Sequence, residues 1–125
     1  MPLSPSRLGL TPTEVRGTDD GLSFSVEVPT DLPVLAGHFP GLPILPGVCL
    51  IDVLQRVITA AVPRADGARL SHIHRCRFRS PVWPGDRLDY DLTLSRDENG
   101  LNCHAVVRGP GGPVAEIRLR YEVDE

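Results

Sequence analysis

The segment Val48–Val62 restricts the possible folds of this 125-residue chain more than any other. It contains neither proline nor glycine and is therefore predicted to be a helix. Apolar residues surround almost all of its first two turns, at Val48, Cys49, Leu50, Ile51, Val53, Leu54, Val57 and Ile58. A helix without a polar face is a buried helix. A domain of this size can cover such a helix only with a strongly curved sheet, so a sheet wrapped around the helix is predicted.

Alternating apolar and polar residues predict strands in the rest of the chain. Leu22–Val28 follows the turn residues Asp19-Asp20-Gly21, which predicts a hairpin with Glu14–Gly17. Further antiparallel strands are predicted at Leu70–Phe78, Leu88–Leu94, Leu101–Val107 and Val114–Val123. Residues 1–12 are rich in Pro and Ser and predict a flexible N-terminal arm, followed by a single domain at residues 13–125.

Simple alternation divides the strand Leu70–Phe78 into two faces. One face would carry Leu70, His72, His74, Cys76 and Phe78, and the other Ser71, Ile73, Arg75, Arg77 and Arg79. The three arginines are interpreted either as a solvated sheet surface or as a docking surface for an acidic partner. His72, His74 and His104 could be considered as metal ligands, but they have no Cys or carboxylate at ligand spacing, and no metal site is predicted.

Charge and composition exclude several function classes. The chain is 41% hydrophobic and 23% charged, as in folded globular proteins, and its net charge of −3 argues against nucleic-acid binding. No apolar run reaches the roughly 18–20 residues of a membrane span, and the N-terminus does not resemble a signal peptide. Three cysteines without CxxC spacing predict free thiols. A cytoplasmic location is therefore expected.

The segment before the helix has an unusual composition, with five prolines and three glycines between Pro29 and Gly47. It is predicted to be a stiff loop without regular structure. Pro46-Gly47 leads into the helix without Ser, Thr, Asp or Asn at the cap position, so the first backbone N–H groups lack a side-chain partner. They either hold water or form a site for a carbonyl oxygen that gains negative charge.

Two side chains near this helix start can transfer protons. Asp52 lies one turn into the apolar helix, where it either pairs with Arg56 or is a buried carboxylic acid that donates a proton. His38 lies in the stiff loop and, beside a bare helix N-terminus and a buried acid, is a candidate general base.

The run Gly-His-Phe-Pro-Gly-Leu-Pro-Ile-Leu-Pro-Gly-Val at residues 37–48, with an acid five residues after Gly47, resembles the 3-hydroxyacyl-acyl-carrier-protein dehydratases of fatty-acid and polyketide synthesis. Residues 77–86 look like the later strand and turn of that family, so nearly the whole chain is covered. The resemblance implies an α+β hotdog domain, in which a curved antiparallel sheet wraps around one long buried helix.

The resemblance also implies roles for individual residues. His38 would remove a proton from C2 of the substrate, Asp52 of the partner subunit would protonate the departing 3-hydroxyl, and the Gly47 N–H would polarise the thioester carbonyl. Substrate contacts are expected from Phe39, Pro46, Val48 and Arg56. The enzyme would be a hydro-lyase and a homodimer with shared active sites, it would need no metal or other cofactor, and its substrate would arrive on an acyl carrier protein or CoA.

Two departures from the family pattern keep alternatives open. The acid is Asp52 where the main branch has Glu, and Arg56 stands where a Gln is typical. An Asp52–Arg56 pair would hold the acid ionised, which suits a catalytically silent subunit that binds an acyl carrier. Hydrolysis of acyl thioesters is the other alternative, and it would leave His38 without a proton to remove.

Overall fold

The computed structural model describes residues 10–29, 47–61 and 68–123, and its regular elements match the predicted order. These elements are the strands β1 (Pro12–Gly17) and β2 (Gly21–Glu27), the helix α1 (Gly47–Ala61), and the strands β3 (Ala68–Phe78), β4 (Arg87–Arg96), β5 (Gly100–Gly109) and β6 (Gly112–Val123). The predicted helix and all predicted strands are confirmed, with shifts of a few residues at their ends. Of the predicted arm, residues 1–9 lie outside the described residues and Leu10 is fully buried, so the division at residue 12 stays a prediction.

The six strands form one antiparallel sheet in the order β1-β2-β4-β5-β6-β3. The turn between β4 and β5 is closed by Asp97, whose Oδ1 accepts hydrogen bonds from the N–H groups of Asn99 and Gly100 at 2.9 and 3.0 Å. Strands β1 and β3 are the two edges of the sheet, because each pairs with one described neighbour only.

The core lies between α1 and one face of the sheet, which we call the inner face. Strict alternation buries Leu88, Tyr90 and Leu92 on β4, and strand β5 continues the face with Leu101, Cys103, Ala105 and Val107. Helix α1 contributes Cys49, Leu50, Val53, Leu54, Val57 and Ile58 to the same core. One side of α1 is only half-buried, at Asp52, Gln55 and Arg56. The helix therefore carries a polar strip, and the predicted absence of a polar face is wrong. No helix in the described residues is long and apolar enough to cross a membrane.

The predicted faces of β3 are right at its two ends but wrong for His72 and Ile73, because two irregularities interrupt its pairing with β6. They fall between Leu70 and His72 and between Ile73 and Arg75. Residues opposite each other in a sheet point to the same side. Ile73 is opposite the buried Leu119, so it belongs to the inner face. His72 is opposite Arg120, so it belongs to the other face, which we call the outer face. Each irregularity reverses the alternation, which the pattern of residue types alone does not reveal.

Candidate active site

The structure describes only part of the predicted site. His38, Phe39 and Pro46 lie outside the described residues, and the side chain of Val48 is not described either. The described part consists of Gly47, where α1 begins, and of Asp52 and Arg56 on its second and third turns. The first turn carries no acidic side chain, so the positive end of the helix dipole is not neutralised there.

One carboxyl oxygen of Asp52 is buried in an unusual setting. This oxygen, Oδ2, forms no hydrogen bond within the described part of the chain. A buried carboxylate oxygen without a partner costs about 1–3 kcal/mol of stability or more, so it is rarely retained for folding alone. Arg56 follows on the same polar strip of α1 and is half-buried. Its predicted role in binding substrate stays a prediction.

Two further groups lie close to Asp52. Burial raises the pKa of the Cys49 thiol, and the negative charge of Asp52 raises it further. Burial also raises the pKa of the Tyr90 hydroxyl, with smaller contributions from Cys49 and Asp52. Both groups therefore stay protonated at neutral pH. Cys49 is fully buried, which agrees with core packing and makes it a poor nucleophile.

Tyr90 connects the sheet to this helix. Its hydroxyl donates a hydrogen bond of 3.0 Å to the carbonyl oxygen of Leu50, and its ring stacks on Phe24 with centroids 4.5 Å apart. The bond reaches α1 two residues before Asp52, so it fixes the helix against β4 beside the acid. The alternating pattern of Leu88–Leu94 predicted a strand, but it contains no signal for the partner of the Tyr90 hydroxyl.

Phe78 lies against the start of α1. A Cβ added to Gly47 would lie 2.6–2.9 Å from three carbons of the Phe78 ring, so only a glycine fits there without a shift of the ring. Phe78 is opposite the buried Ala115 and thus belongs to the inner face, although 47% of it is exposed. An exposed aromatic ring beside the helix N-terminus can contact a bound acyl group. The sequence pattern placed Phe78 on one face of β3 and within a family-like segment, but it indicated no function for the ring.

The three arginines suggested for docking are exposed and separate from Asp52. Arg75 and Arg77 are opposite Arg118 and Glu116 and belong to the outer face, whereas α1 packs on the inner face. Arg75 forms an ion pair of 3.3 Å with Glu116. Arg79 follows the end of β3, and its N–H donates to the carbonyl of Val114 at 2.7 Å. Arg77 and Arg79 flank Phe78, whose ring lies against the start of α1.

Known proteins with similar sequences are dehydratases. The chain is 38% identical over 88 residues to the 3-hydroxyacyl-acyl-carrier-protein dehydratase FabZ of Polynucleobacter necessarius, which covers 66% of this chain and 59% of that protein. It is 35% identical over 93 residues to FabZ of Rhizobium rhizogenes, which covers 70% of this chain and 59% of that protein. The chain thus spans 59% of the length of each of these relatives.

A solved structure and a family match agree with these relatives. The dehydratase heterocomplex ApeI:P from Xenorhabdus doucetiae superposes with a TM-score of 0.75 at 19% identity, over 90% of this chain and 97% of that chain. This similarity confirms the predicted hotdog fold, although α1 spans only 15 described residues and its predicted great length is not established. Residues 14–109, well over half of the chain, match the ApeI-like dehydratases. The chain therefore belongs to the ApeI-like dehydratase family.

Proposed function

We propose that this protein is a hydro-lyase that converts (3R)-hydroxyacyl thioesters into trans-2-enoyl thioesters, in fatty-acid or polyketide-type biosynthesis. The observation that carries the proposal is the buried Oδ2 of Asp52, one turn from the start of α1, in a chain of a dehydratase family. A thioesterase would also use a carboxylate, together with a water, but it would leave His38 without a proton to remove. A silent subunit would have no reason to keep a costly buried carboxyl.

The proposed reaction removes one proton and one hydroxyl from neighbouring carbons. His38 takes the proton from C2, and the resulting negative charge moves onto the thioester oxygen. That oxygen accepts a hydrogen bond from the Gly47 N–H, where the positive end of the helix dipole lies. Asp52 donates its proton to the 3-hydroxyl as the C3–O bond breaks, so water leaves and the double bond forms. Phe39, Pro46, Val48 and Arg56 complete the proposed substrate contacts.

No step in this scheme transfers electrons, and none needs a metal ion or an organic cofactor, so we propose that the enzyme works without one. The acyl group would be carried by the phosphopantetheine of an acyl carrier protein or by CoA. The cysteines Cys49, Cys76 and Cys103 are free thiols, which suits a reducing compartment such as the cytoplasm.

We further propose that the enzyme is a homodimer in which Asp52 of one subunit works with His38 of the other. Support comes from the exposed edge of β3 and from the half-buried polar strip on α1, which a second subunit would cover. The similar ApeI:P structure is a heterocomplex, so a different hotdog chain is the alternative partner.

The test of the proposed reaction uses a 3-hydroxyacyl thioester, with enoyl absorbance and free thiol measured together. We expect enoyl product without thiol release, and a fall in kcat of about 10²–10⁴-fold in His38→Ala and in Asp52→Asn. Asp52→Glu keeps the acid and should retain much more activity than Asp52→Asn. Glu98→Gln, on the exposed turn after β4, is the matched control. Thiol release alone would identify a thioesterase. The absence of both products would identify a silent subunit.

Arg75, Arg77 and Arg79 are proposed to steer an acidic carrier protein. Because Glu116 engages Arg75, we expect Arg77→Ala and Arg79→Ala to have the larger effects. Both should slow turnover of carrier-linked substrate and spare a small thioester surrogate, whereas Arg108→Ala, whose guanidinium pairs with Asp91 at 2.7 Å, should change neither. Equal losses with both substrates would contradict docking through these residues.

A further inference from the structure

The outer face of the sheet contains a groove on the side away from α1. Its volume is about 290 Å³, and its lining includes the polar side chains of His74, Thr93, Ser95, Asn102, His104 and Arg118. The proposed dehydration uses none of these residues. Cys103 and Leu119, whose side chains belong to the core, also line the groove.

The pairing of four strands builds this groove. Thr93 is opposite His104, His104 is opposite Arg118, and Arg118 is opposite Arg75, so one row of side chains crosses β4, β5, β6 and β3. Residues directly opposite each other have Cβ atoms about 4.5–5.5 Å apart, which brings the imidazole, guanidinium and hydroxyl together. The irregularity between Ile73 and Arg75 places the extra residue, His74, at the end of this row.

Neighbouring contacts orient the groups of the groove. The ring of His74 stacks on that of His72, with centroids 5.4 Å apart and planes 6° from parallel. The guanidinium of Arg120 donates to Oδ1 of Asn102 at 3.0 Å, which leaves the NH₂ group of Asn102 available as a donor. Hydrogen-bond donors therefore converge from β3, β4, β5 and β6.

Arg118 gives the described lining of the groove a positive charge. None of the described lining residues is a carboxylate. Two acids lie beside the groove. Glu116 is 3.2 Å from His104 and 3.3 Å from Arg75, and Asp97 pairs at 2.8 Å with Arg120, which also donates to Asn102. The hydrogen bond of Glu116 with His104 and the charges of Arg75, His104 and Arg118 lower the pKa of Glu116, so it stays ionised. Glu116 thus faces the guanidinium groups of Arg75 and Arg118, and Asp97 faces that of Arg120.

We propose that this groove binds the phosphate group of a small phosphorylated molecule. An arginine fork with imidazole, hydroxyl and amide donors is the combination that binds a tetrahedral oxyanion. A volume of about 290 Å³ is at the lower end of small-molecule sites, which extend from roughly 300 to 1,000 Å³, and so fits a phosphate with a small attached group better than a protein segment. This site is separate from Asp52 and would be present whether or not the chain is a dehydratase.

The test is a titration of the purified protein, in which NMR monitors the signals of backbone amides and histidine side chains. The probes are inorganic phosphate and phenyl phosphate, each against sodium chloride at matched ionic strength. We expect saturable shifts at His74, His104 and Arg118, and binding roughly tenfold weaker in Arg118→Gln and in His74→Gln. Arg108→Gln is the control, because Arg108 also lies on the outer face of β5 but pairs with Asp91 outside the groove.

The two probes distinguish the sources of the phosphate. Tighter binding of phenyl phosphate indicates an organic phosphate ester as the natural ligand, and equal binding indicates inorganic phosphate. Shifts that match those caused by sodium chloride overturn the proposal, and so does binding that Arg118→Gln and Arg108→Gln weaken equally. Thermal unfolding of each variant shows whether it is folded.

Discussion

At the scale of single residues, the contact between Gly47 and Phe78 limits which side chains fit at the start of α1. We predict that Gly47→Ala lowers kcat/KM, because its new methyl group would lie 2.6 Å from the Phe78 ring and displace either the ring or the helix start. Phe78→Ala should make room for that methyl group. In a double-mutant cycle, the double variant should therefore be more active than the combined losses of the two single variants predict.

Gly111→Ala is the matched control for this prediction, since a Cβ at Gly111 meets nothing within 4 Å. Kinetics with one thioester substrate measure the effect in all four proteins. Additive losses in the cycle would show that the two residues act separately. Full activity in Gly47→Ala would show that the Phe78 ring can move without affecting catalysis.

At the scale of elements, two tyrosine hydroxyls on the sheet differ, because one forms a hydrogen bond to the helix and the other has no described partner. Tyr90 donates to the Leu50 carbonyl, whereas the buried hydroxyl of Tyr121 forms no hydrogen bond within the described part of the chain. We predict that Tyr90→Phe lowers the free energy of unfolding by about 0.5–1.5 kcal/mol. Tyr121→Phe should leave it unchanged or raise it, because it removes a buried polar group without a partner. Urea denaturation of both variants measures the difference, and a larger loss in Tyr121→Phe would contradict this account.

The elements themselves were largely predictable from the sequence. Alternation identified β4 and β5, since burial on one side of a sheet imposes a period of two. The absence of helix-breaking residues identified α1. The faces in the middle of β3 were not predictable. The irregularities at Ser71 and His74 are set by the pairing with β6, and neither a serine nor a histidine marks a bulge. As a result the groove behind β5 had no counterpart in the sequence pattern.

The candidate site was predictable in kind but not in its surroundings. Asp52 was recognisable as a carboxyl within an apolar helix, and the motif gave Gly47 and His38 their expected roles. The contacts of Phe78 and Tyr90 could not be predicted. Each depends on a strand that meets the helix only in three dimensions, more than 30 residues away in sequence. His38 lies outside the described residues, and its role stays a prediction.

At the scale of the whole molecule, the turn between β4 and β5 contributes to the dependence of stability on pH. Hydrogen bonds from Arg120, then from the Asn99 N–H, lower the pKa of Asp97 from 3.8 to about 2. Because the folded pKa is below the unfolded one, this contribution is complete above pH ~4 and is lost as the pH falls towards ~2. We predict that Asp97→Asn is less stable than the parent at neutral pH, and that this difference disappears near pH 2.

Urea denaturation at several pH values measures that difference, and Glu98→Gln on the same turn is the control. Added salt should reduce it, since about half of the Asp97 side chain is exposed. A difference between Asp97→Asn and the parent that is constant from pH 7 to pH 2 would contradict an electrostatic origin.

The two edges of the sheet differ in what they offer to a second subunit. Ile73 on β3 is 52% exposed and Val15 on β1 is 38% exposed. If dimerisation occurs through β3, Ile73→Glu should shift the protein towards monomer in sedimentation experiments, because it places a charge in an apolar interface. Val15→Glu adds the same charge at the opposite edge and should leave the assembly unchanged. Dissociation by Val15→Glu alone would assign the interface to β1.

The assembly and the chemistry can be tested together, because the proposed site takes His38 from one subunit and Asp52 from the other. His38→Ala and Asp52→Asn homodimers are each expected to be inactive. A mixed dimer of the two has one site in which both groups are altered and one in which both are intact. After unfolding and refolding equal amounts together, random assembly should restore about a quarter of the parent activity. Ile73→Glu introduced into both chains should abolish this recovery if β3 forms the interface. Sites formed within one subunit would give no recovery at all, because every chain in the mixture lacks one of the two groups.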